Sequence, residues 1–268
     1  MPASSALTVL RSALFVPVFY VNTALFVVLG SFLLFGPRRY AMLGLRTHAV
    51  VTLWLMKHIV GTRMEVRGRE KLPAAPYLVA SKHQSAWDTF ALIPIFNDPA
   101  MVMKAELRHI PFYGWFSRKF EHVFVERARG PSALRKLVRD ARDRAAAGRE
   151  IVLFPEGTRR TPGAAPDYKP GGVALYEGLG LACVPIALNS GLYWPRRSLM
   201  RYPGTIIVEI LDPIAAGLPR GEFRAEVERR IETASNRLIV EAARSKTPPP
   251  IPAEVLARAE AAAEIHEA

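Results

Sequence analysis

Hydrophobic residues fall in three textures along this chain. From Ser12 to Gly36 they are nearly unbroken, 25 residues with no charged side chain and rich in Leu, Val and Phe. As a helix that run would measure about 37 Å, enough to cross a bilayer. From Tyr40 to Val60, Met42, Leu45, Ala49, Leu53 and Met56 recur at helical spacing, with Trp54, Lys57 and His58 near the end. This pattern predicts a second helix, which either packs on the rest of the protein or forms a hairpin with the first, bent at Pro17, that dips into one leaflet. After Gly61 short apolar runs alternate with amphipathic stretches, the texture of an α/β domain.

Strands are predicted at Met64–Val66, Tyr77–Ala80, Ala100–Met103, His122–Val125, Ile151–Phe154, Cys183–Leu188 and Thr205–Leu211. The clearest helix runs from Pro131 to Ala147, with Leu134, Leu137, Val138, Ala141 and Ala145 on one face and Gly148 as its stop. A second amphipathic helix is predicted from Glu222 to Arg244. The run Thr247-Pro248-Pro249-Pro250-Ile251-Pro252 then acts as a linker to an Ala/Glu-rich helical tail, Ala253 to Ala268. The expected organisation is membrane-associated helices over 1–61, a catalytic domain over 62–246 and a linker with tail over 247–268. The fold class is α/β, a mixed or mostly parallel β-sheet flanked by helices behind an N-terminal helical membrane anchor.

Charge narrows the choice of partners. The 268 residues carry 36 Lys+Arg against 24 Asp+Glu, a formal +12, and the stretch from Lys104 to Glu150 alone carries +6. No zinc-finger, RNP-type or homeodomain-like pattern goes with it, so a membrane surface is a better partner than nucleic acid. Arg38, Arg39 and Arg46 follow the apolar run and only Arg11 precedes it, a bias that places the C-terminal side in the cytoplasm, at the inner membrane. The basic face at Arg135, Lys136, Arg139 and Arg142 is either a solvated surface or an attractor of anionic lipid or a carrier protein. A single cysteine, Cys183, excludes an internal disulfide and thiolate-cluster metal sites. His48, His58, His109 and His122 show no ligand spacing, so no metal is expected.

Two segments carry chemistry. Ser81-Lys82-His83-Gln84-Ser85-Ala86-Trp87-Asp88 follows a predicted strand, where α/β proteins place reacting groups. On one continuous helix a spacing of five rotates two side chains about 140° apart. His83 and Asp88 can therefore meet as base and orienter only if His83 lies in the loop and Asp88 in the next helix's first turn, with Ser85 as N-cap. Ser85-x-x-Asp88 is also a capping-box pattern, so Asp88 alternatively serves only the helix terminus. The second segment, Ile151-Val152-Leu153-Phe154-Pro155-Glu156-Gly157-Thr158-Arg159-Arg160, runs from a buried strand into a turn. It is either an ordinary turn with solvated arginines or a phosphate cradle. In the cradle Gly157 lets backbone N–H groups approach an anion, Thr158 adds a hydroxyl and Arg159 grips bidentately.

Together these segments resemble the 1-acylglycerol-3-phosphate acyltransferase family. Its His-x4-Asp block is similar to His83–Asp88 and its Phe-Pro-Glu-Gly-Thr-Arg block to Phe154–Arg159. Its intermediate block resembles Lys104-Ala105-Glu106-Leu107 through Ile110-Pro111-Phe112-Tyr113-Gly114-Trp115, and its last block Val184-Pro185-Ile186-Ala187-Leu188-Asn189. One departure is Lys82, where many members have Asn.

The resemblance implies transfer of an acyl group from acyl-CoA or acyl carrier protein to the 2-hydroxyl of 1-acylglycerol-3-phosphate, giving phosphatidic acid, with no cofactor besides the acyl donor. It implies His83 as general base with Asp88 as its orienter, and Arg159, Gly157 and Thr158 on the acceptor phosphate. Lys104 adds charge there, and Glu156 either orients Arg159 or an acceptor hydroxyl or is purely structural. Lys169-Pro170-Gly171-Gly172 either supports the phosphate site or is a simple helix-start loop. Rival readings are an acyltransferase for glycerol-3-phosphate or for a lyso-lipid such as lyso-ornithine lipid, a membrane-bound thioesterase, and an inactive lipid-binding module.

Overall fold

A computed structural model describes residues 5–126 and 130–267, the last five of these by backbone alone; Ala268, assigned above to the terminal helix, lies outside the described residues. The chain opens with α1 (Ala6–Leu29), a 3₁₀ turn at Ser31–Leu34, and α2 (Arg38–Leu55), which continues as a π turn to Val60. Then come β1 (Thr62–Arg67), β2 (Leu78–Ser81), α3 (Asp88–Ala91), β3 (Ala100–Lys104), α4 (Tyr113–Lys119), β4 (Val123–Val125) and α5 (Gly130–Ala146). The second half holds β5 (Ile151–Leu153), α6 (Pro170–Leu179), β6 (Cys183–Leu188), α7 (Ser190–Tyr193), β7 (Gly204–Ile210), α8 (Arg220–Ala243) and α9 (Ala253–Glu267).

The strands form one mixed sheet in the order β1-β7-β6-β2-β5-β3-β4. β6, β2, β5, β3 and β4 run parallel, β7 turns antiparallel to β6, and β1 runs parallel to β7. Central parallel strands are covered on both faces, which is why β2, β5 and β6 are continuous apolar runs rather than alternating ones. Strand geometry sends neighbouring side chains to opposite sides. Val79 and Val152 enter a core built with the hairpin, the segment after α3 and the end of α8, whereas Leu78, Ala80, Ile151 and Leu153 enter a second core under α5, α6 and the start of α8. α5 buries Ala133, Leu137, Ala141 and Ala145, and Gly148, at φ +76°, ends its stretch as the sequence predicts.

The hairpin lies along the domain. α1 runs unbroken through Pro17. Near its start Ser12 Oγ donates to the Arg201 carbonyl at 3.0 Å and accepts from the Arg201 N–H at 2.9 Å. Phe15, fully buried, meets Trp194 edge-on at 5.6 Å. Nine positions after α1 ends, Arg38 forks onto Asp98, and two turns into α2 Arg46 donates to the Asn97 carbonyl at 2.7 Å. Both ends of the apolar run are thus tied to the same domain, and α1 and α2 pack against each other as a hairpin. Arg38 and Arg46, read above as charges flanking a membrane segment, are fastenings between α2 and the loop before β3. The other flank of the hairpin leaves Leu10, Val21, Leu25, Val28, Leu29 and Phe35 exposed.

The topology places chemistry at one edge of the sheet. β2 and β5 pair in register, Leu78 against Ile151 and Ala80 against Leu153. The loops leaving their carboxyl ends, which hold His83 and Glu156–Arg159, therefore emerge side by side, and β3 brings Lys104 to the same edge. Clefts outside the carboxyl ends of parallel strands are where α/β folds take ligands.

Candidate active site

His83 sits in the loop after β2 and Asp88 opens α3, the arrangement their spacing requires. His83 Nδ1 donates to Asp88 Oδ2 at 2.9 Å. The same oxygen accepts the backbone N–H groups of Gln84 and Ser85 at 2.8 and 2.9 Å, and Oδ1 accepts the Ser190 hydroxyl. A carboxylate receiving four donors in full burial is an acceptor only, so Nδ1 carries a proton and Nε2 is the ring nitrogen that Asp88 leaves unengaged. The capping and orienting readings of Asp88 prove compatible, because the loop N–H bonds that fix the turn also fix the carboxylate beneath the ring. Ser85 Oγ accepts from the Trp87 N–H at 3.2 Å, one residue short of the helix it was expected to cap. Phe154 stacks on the imidazole with centroids 4.0 Å apart and blocks one face.

His83 opens onto a cavity of about 2020 Å³ whose walls come from the hairpin, α4, α5 and the loops after β2, β3 and β5. Among the described lining residues four are cations, Lys104, Arg159, Lys169 and Arg196, and none is a carboxylate. Lys169 is paired with Asp167 at 2.6 Å. Arg196 donates to the Arg159 carbonyl at 2.8 Å, bringing a second guanidinium to the same turn. Neither the Arg159 guanidinium nor the Lys104 ammonium has a hydrogen-bond or ion-pair partner among the described residues, and Thr158 shares their wall. Such a cavity attracts anions with nothing of its own to repel them.

The turn sharpens the expectation for Gly157 and corrects that for Glu156. The Gly157 N–H itself is taken by the Phe154 carbonyl at 2.8 Å. What glycine supplies here is φ +63°, a left-handed conformation that reverses the chain and sets Thr158 and Arg159 on the cavity wall. Glu156 does not line the cavity at all. It is fully buried, with Oε1 accepting from Lys82 Nζ at 2.8 Å and Oε2 from the His83 N–H at 3.2 Å, so it touches neither Arg159 nor any open space an acceptor could enter. Burial pushes its carboxyl above the usual range, and the Lys82 ammonium offsets that rise only in part. The Lys169 N–H donates to the Pro155 carbonyl at 2.8 Å, so the loop entering α6 braces the turn.

Ser190, Arg196 and Glu232 were not singled out from the sequence. Ser190 lies 102 positions from Asp88, and Glu232 150 positions from its partner Lys82, beyond the reach of any local spacing. Cys183 is fully buried with its thiol pushed well up by burial, a core residue and not a nucleophile. His122 is likewise internal, its Nδ1 accepting from the Met101 N–H at 3.2 Å.

The chain is similar to known proteins over this same architecture. Residues 63–189 match the Acyltransferase family. A 1-acyl-sn-glycerol-3-phosphate acyltransferase of Pseudomonas aeruginosa is 37% identical over 180 residues, 67% of this chain and 70% of that protein. This chain belongs to that acyltransferase family. A Saccharomyces cerevisiae member is 31% identical over 60% of this chain, which spans about half of the yeast protein (54%). A lyso-ornithine lipid O-acyltransferase of Pseudomonas aeruginosa is 25% identical over 68% of this chain and 76% of its own. The acyltransferase fold is shared with the crystal structure of the 1-acyl-sn-glycerophosphate acyltransferase PlsC from Thermotoga maritima, at a TM-score of 0.73 and 22% identity, covering 86% of this chain and 97% of that one. The protein is accordingly an acyltransferase of lipid metabolism.

Proposed function

We propose that this acyltransferase moves a fatty acyl group from acyl-CoA or acyl carrier protein to the 2-hydroxyl of 1-acylglycerol-3-phosphate, giving phosphatidic acid. The observation that carries this reading is a cavity with no carboxylate among its described lining residues, in which the His83 imidazole, held at Nδ1 by Asp88, shares a wall with two cations that have no partner among the described residues. His83 Nε2 takes the hydroxyl proton as the oxygen attacks the thioester carbonyl carbon. Asp88 stabilises the imidazolium, the C–S bond breaks, and the proton passes to the departing thiolate. A thioester is already activated, so no acyl-enzyme and no cofactor beyond the donor is called for. Arg159 and Lys104, with the Thr158 hydroxyl, hold the acceptor phosphate.

The apolar flank of the hairpin is read as seated in one leaflet of the inner membrane, with the catalytic domain on the cytoplasmic side. A hairpin tied to the domain at both ends supports immersion from one side. An acyl chain then reaches the cavity past α1 and α2 without leaving an apolar surrounding.

The test is acyl transfer from labelled acyl-CoA and acyl carrier protein to 1-acylglycerol-3-phosphate and to lyso-ornithine lipid, by protein in lipid or detergent. Phosphatidic acid is the expected product, lost by about 10³-fold or more in His83→Ala, with Arg159→Ala raising mainly the KM for the phosphorylated acceptor. Product from lyso-ornithine lipid alone overturns the acceptor, and free fatty acid released without any acceptor makes the protein a thioesterase.

A further inference from the structure

A second charge cluster lies against the His83 backbone, and the reaction above makes no use of it. Lys82, its side chain 3% exposed, directs Nζ to Glu156 Oε1 at 2.8 Å and to the two Glu232 oxygens at 2.7 and 2.9 Å. Glu156 is wholly buried and Glu232 is 20% exposed, and Tyr168 OH donates to Glu232 Oε1 at 3.0 Å. None of the three charged residues lines the cavity. They come from three elements, the β2–α3 loop, the turn after β5, and α8. An ammonium has three protons to donate, and the two carboxylates accept them all.

The cluster grips the general base through its backbone. Glu156 Oε2 takes the His83 N–H at 3.2 Å, and the Arg160 N–H donates to the His83 carbonyl at 2.8 Å. The residues that clamp His83 on either side therefore bracket Gly157, Thr158 and Arg159, so the base and the anion-binding turn are held as one piece. Glu156 is the joint of that piece. A buried carboxylate without a cation takes up a proton or moves, and Lys82 is the cation.

We propose that Lys82 is a positioning residue: its ammonium, balanced by Glu232, holds the Glu156 carboxylate against the His83 backbone and thereby fixes the imidazole relative to Arg159. The inference rests on reading His83 as the general base. It separates Lys82 from a residue that only fills space, because its effect runs through one other charge.

Full-length Lys82→Met, Glu156→Gln, the double variant and His83→Ala are compared for kcat, acceptor KM and thermal unfolding. Lys82→Met is expected to lose about 100-fold in kcat, the scale of an ångström-sized misplacement, with acceptor KM changed by no more than about threefold. Glu156→Gln keeps an oxygen for the His83 N–H and is expected to lose less than about 10-fold. Once residue 156 is neutral there is no charge there for Lys82 to balance, so the double variant should recover at least about 10-fold over Lys82→Met. Losses that simply multiply, or wild-type kcat in Lys82→Met, overturn the proposal. Should Lys82→Met fail to fold, the double variant against Glu156→Gln decides: kcat values within about threefold support the proposal and a further fall of about 100-fold overturns it. Full activity in His83→Ala removes the base itself. Its inactivity beside wild-type kcat in Lys82→Met removes only the role of Lys82.

Discussion

Two clusters of buried or half-buried charge hold this molecule together, and they do opposite work. Beside His83, Lys82 and Glu156 are both nearly or fully buried and are satisfied by each other, by Glu232 and by one backbone N–H. At the foot of α2, Arg149 is 1% exposed, but its companions Arg38, Asp98 and Glu121 are 28%, 31% and 44% exposed. Arg149 donates mostly to main-chain carbonyls, those of Asp98, Pro99, Phe120 and Glu121, at 3.0 to 3.3 Å. The first cluster balances charge with charge around the His83 peptide. The second uses one guanidinium to gather the turns that lead into β3 and β4, and lets water screen the rest.

The sign of the carboxyl shifts follows that difference. Burial pushes Glu156 up despite Lys82. Asp98 is also penalised by burial, yet the hydrogen bond from Arg38 and the charge of Arg149 outweigh it and hold its carboxyl below the usual value. Glu156 therefore contributes least to stability above its raised pKa. Asp98 contributes above its unfolded pKa and loses that contribution as pH falls through the depressed folded one. Acid weakens the joint at α2 while easing the burial of Glu156.

The largest effect that would break this comparison is on Arg149. Arg149→Met strips a donor from four carbonyls and leaves Asp98 short of a cation, and is expected to cost about 3–5 kcal/mol of unfolding free energy. Turnover per folded molecule should stay within about twofold of wild type, the reverse of Lys82→Met, where kcat falls first. If chemical denaturation shows Arg149→Met as stable as wild type, or its folded fraction is inactive, the division of labour is wrong.

A middle-sized effect belongs to His122, beside the same joint. Burial, helped by the charge of Arg149, pushes its imidazole down to about 3, so it folds neutral. The unfolded chain binds a proton below about pH 6.5 and the folded chain does not, so stability falls by about 1.4 kcal/mol per pH unit from there toward pH 3. Melting scans from pH 7.5 to 5 should show this slope in wild type and a flatter line in His122→Gln, whose amide oxygen can still accept the Met101 N–H. Equal slopes in the two proteins would detach the joint from acid sensitivity. Smallest is Arg38→Ala, expected to cost no more than about 1 kcal/mol, because its pair with Asp98 is about 30% exposed on either side. That loss should shrink further in high salt, and an effect insensitive to salt would mean the pair is drier than its exposure indicates.

Much of this was legible in the sequence, for physical reasons that also mark where legibility stopped. All seven strands were found within a residue or two, because a central parallel strand must be apolar throughout and Tyr77–Ala80 or Cys183–Leu188 can be little else. Helical pitch set the condition under which His83 and Asp88 can meet, and the family resemblance implied that they do. The positive φ of Gly157 was legible from its residue type, but that its own N–H closes the turn onto the Phe154 carbonyl was not. Arg38 and Arg46 flank an apolar run whether they mark a membrane face or fasten a hairpin to Asp98 and Asn97. Ser190 and Glu232 act across more than a hundred residues, where only the topology brings partners together.

The cavity that His83 shares with Phe19, Thr23 and Phe26 of α1 has a consequence for how the enzyme counts its substrate. On the membrane placement proposed above, a site walled by the hairpin meets its acceptor by lateral diffusion in a film, not by collision in solution. Its half-saturation point is then a surface density. Diluting the acceptor with inert lipid at fixed bulk concentration should slow the enzyme, while diluting the whole suspension with buffer, at fixed protein per vesicle, should leave each molecule turning over at the same rate.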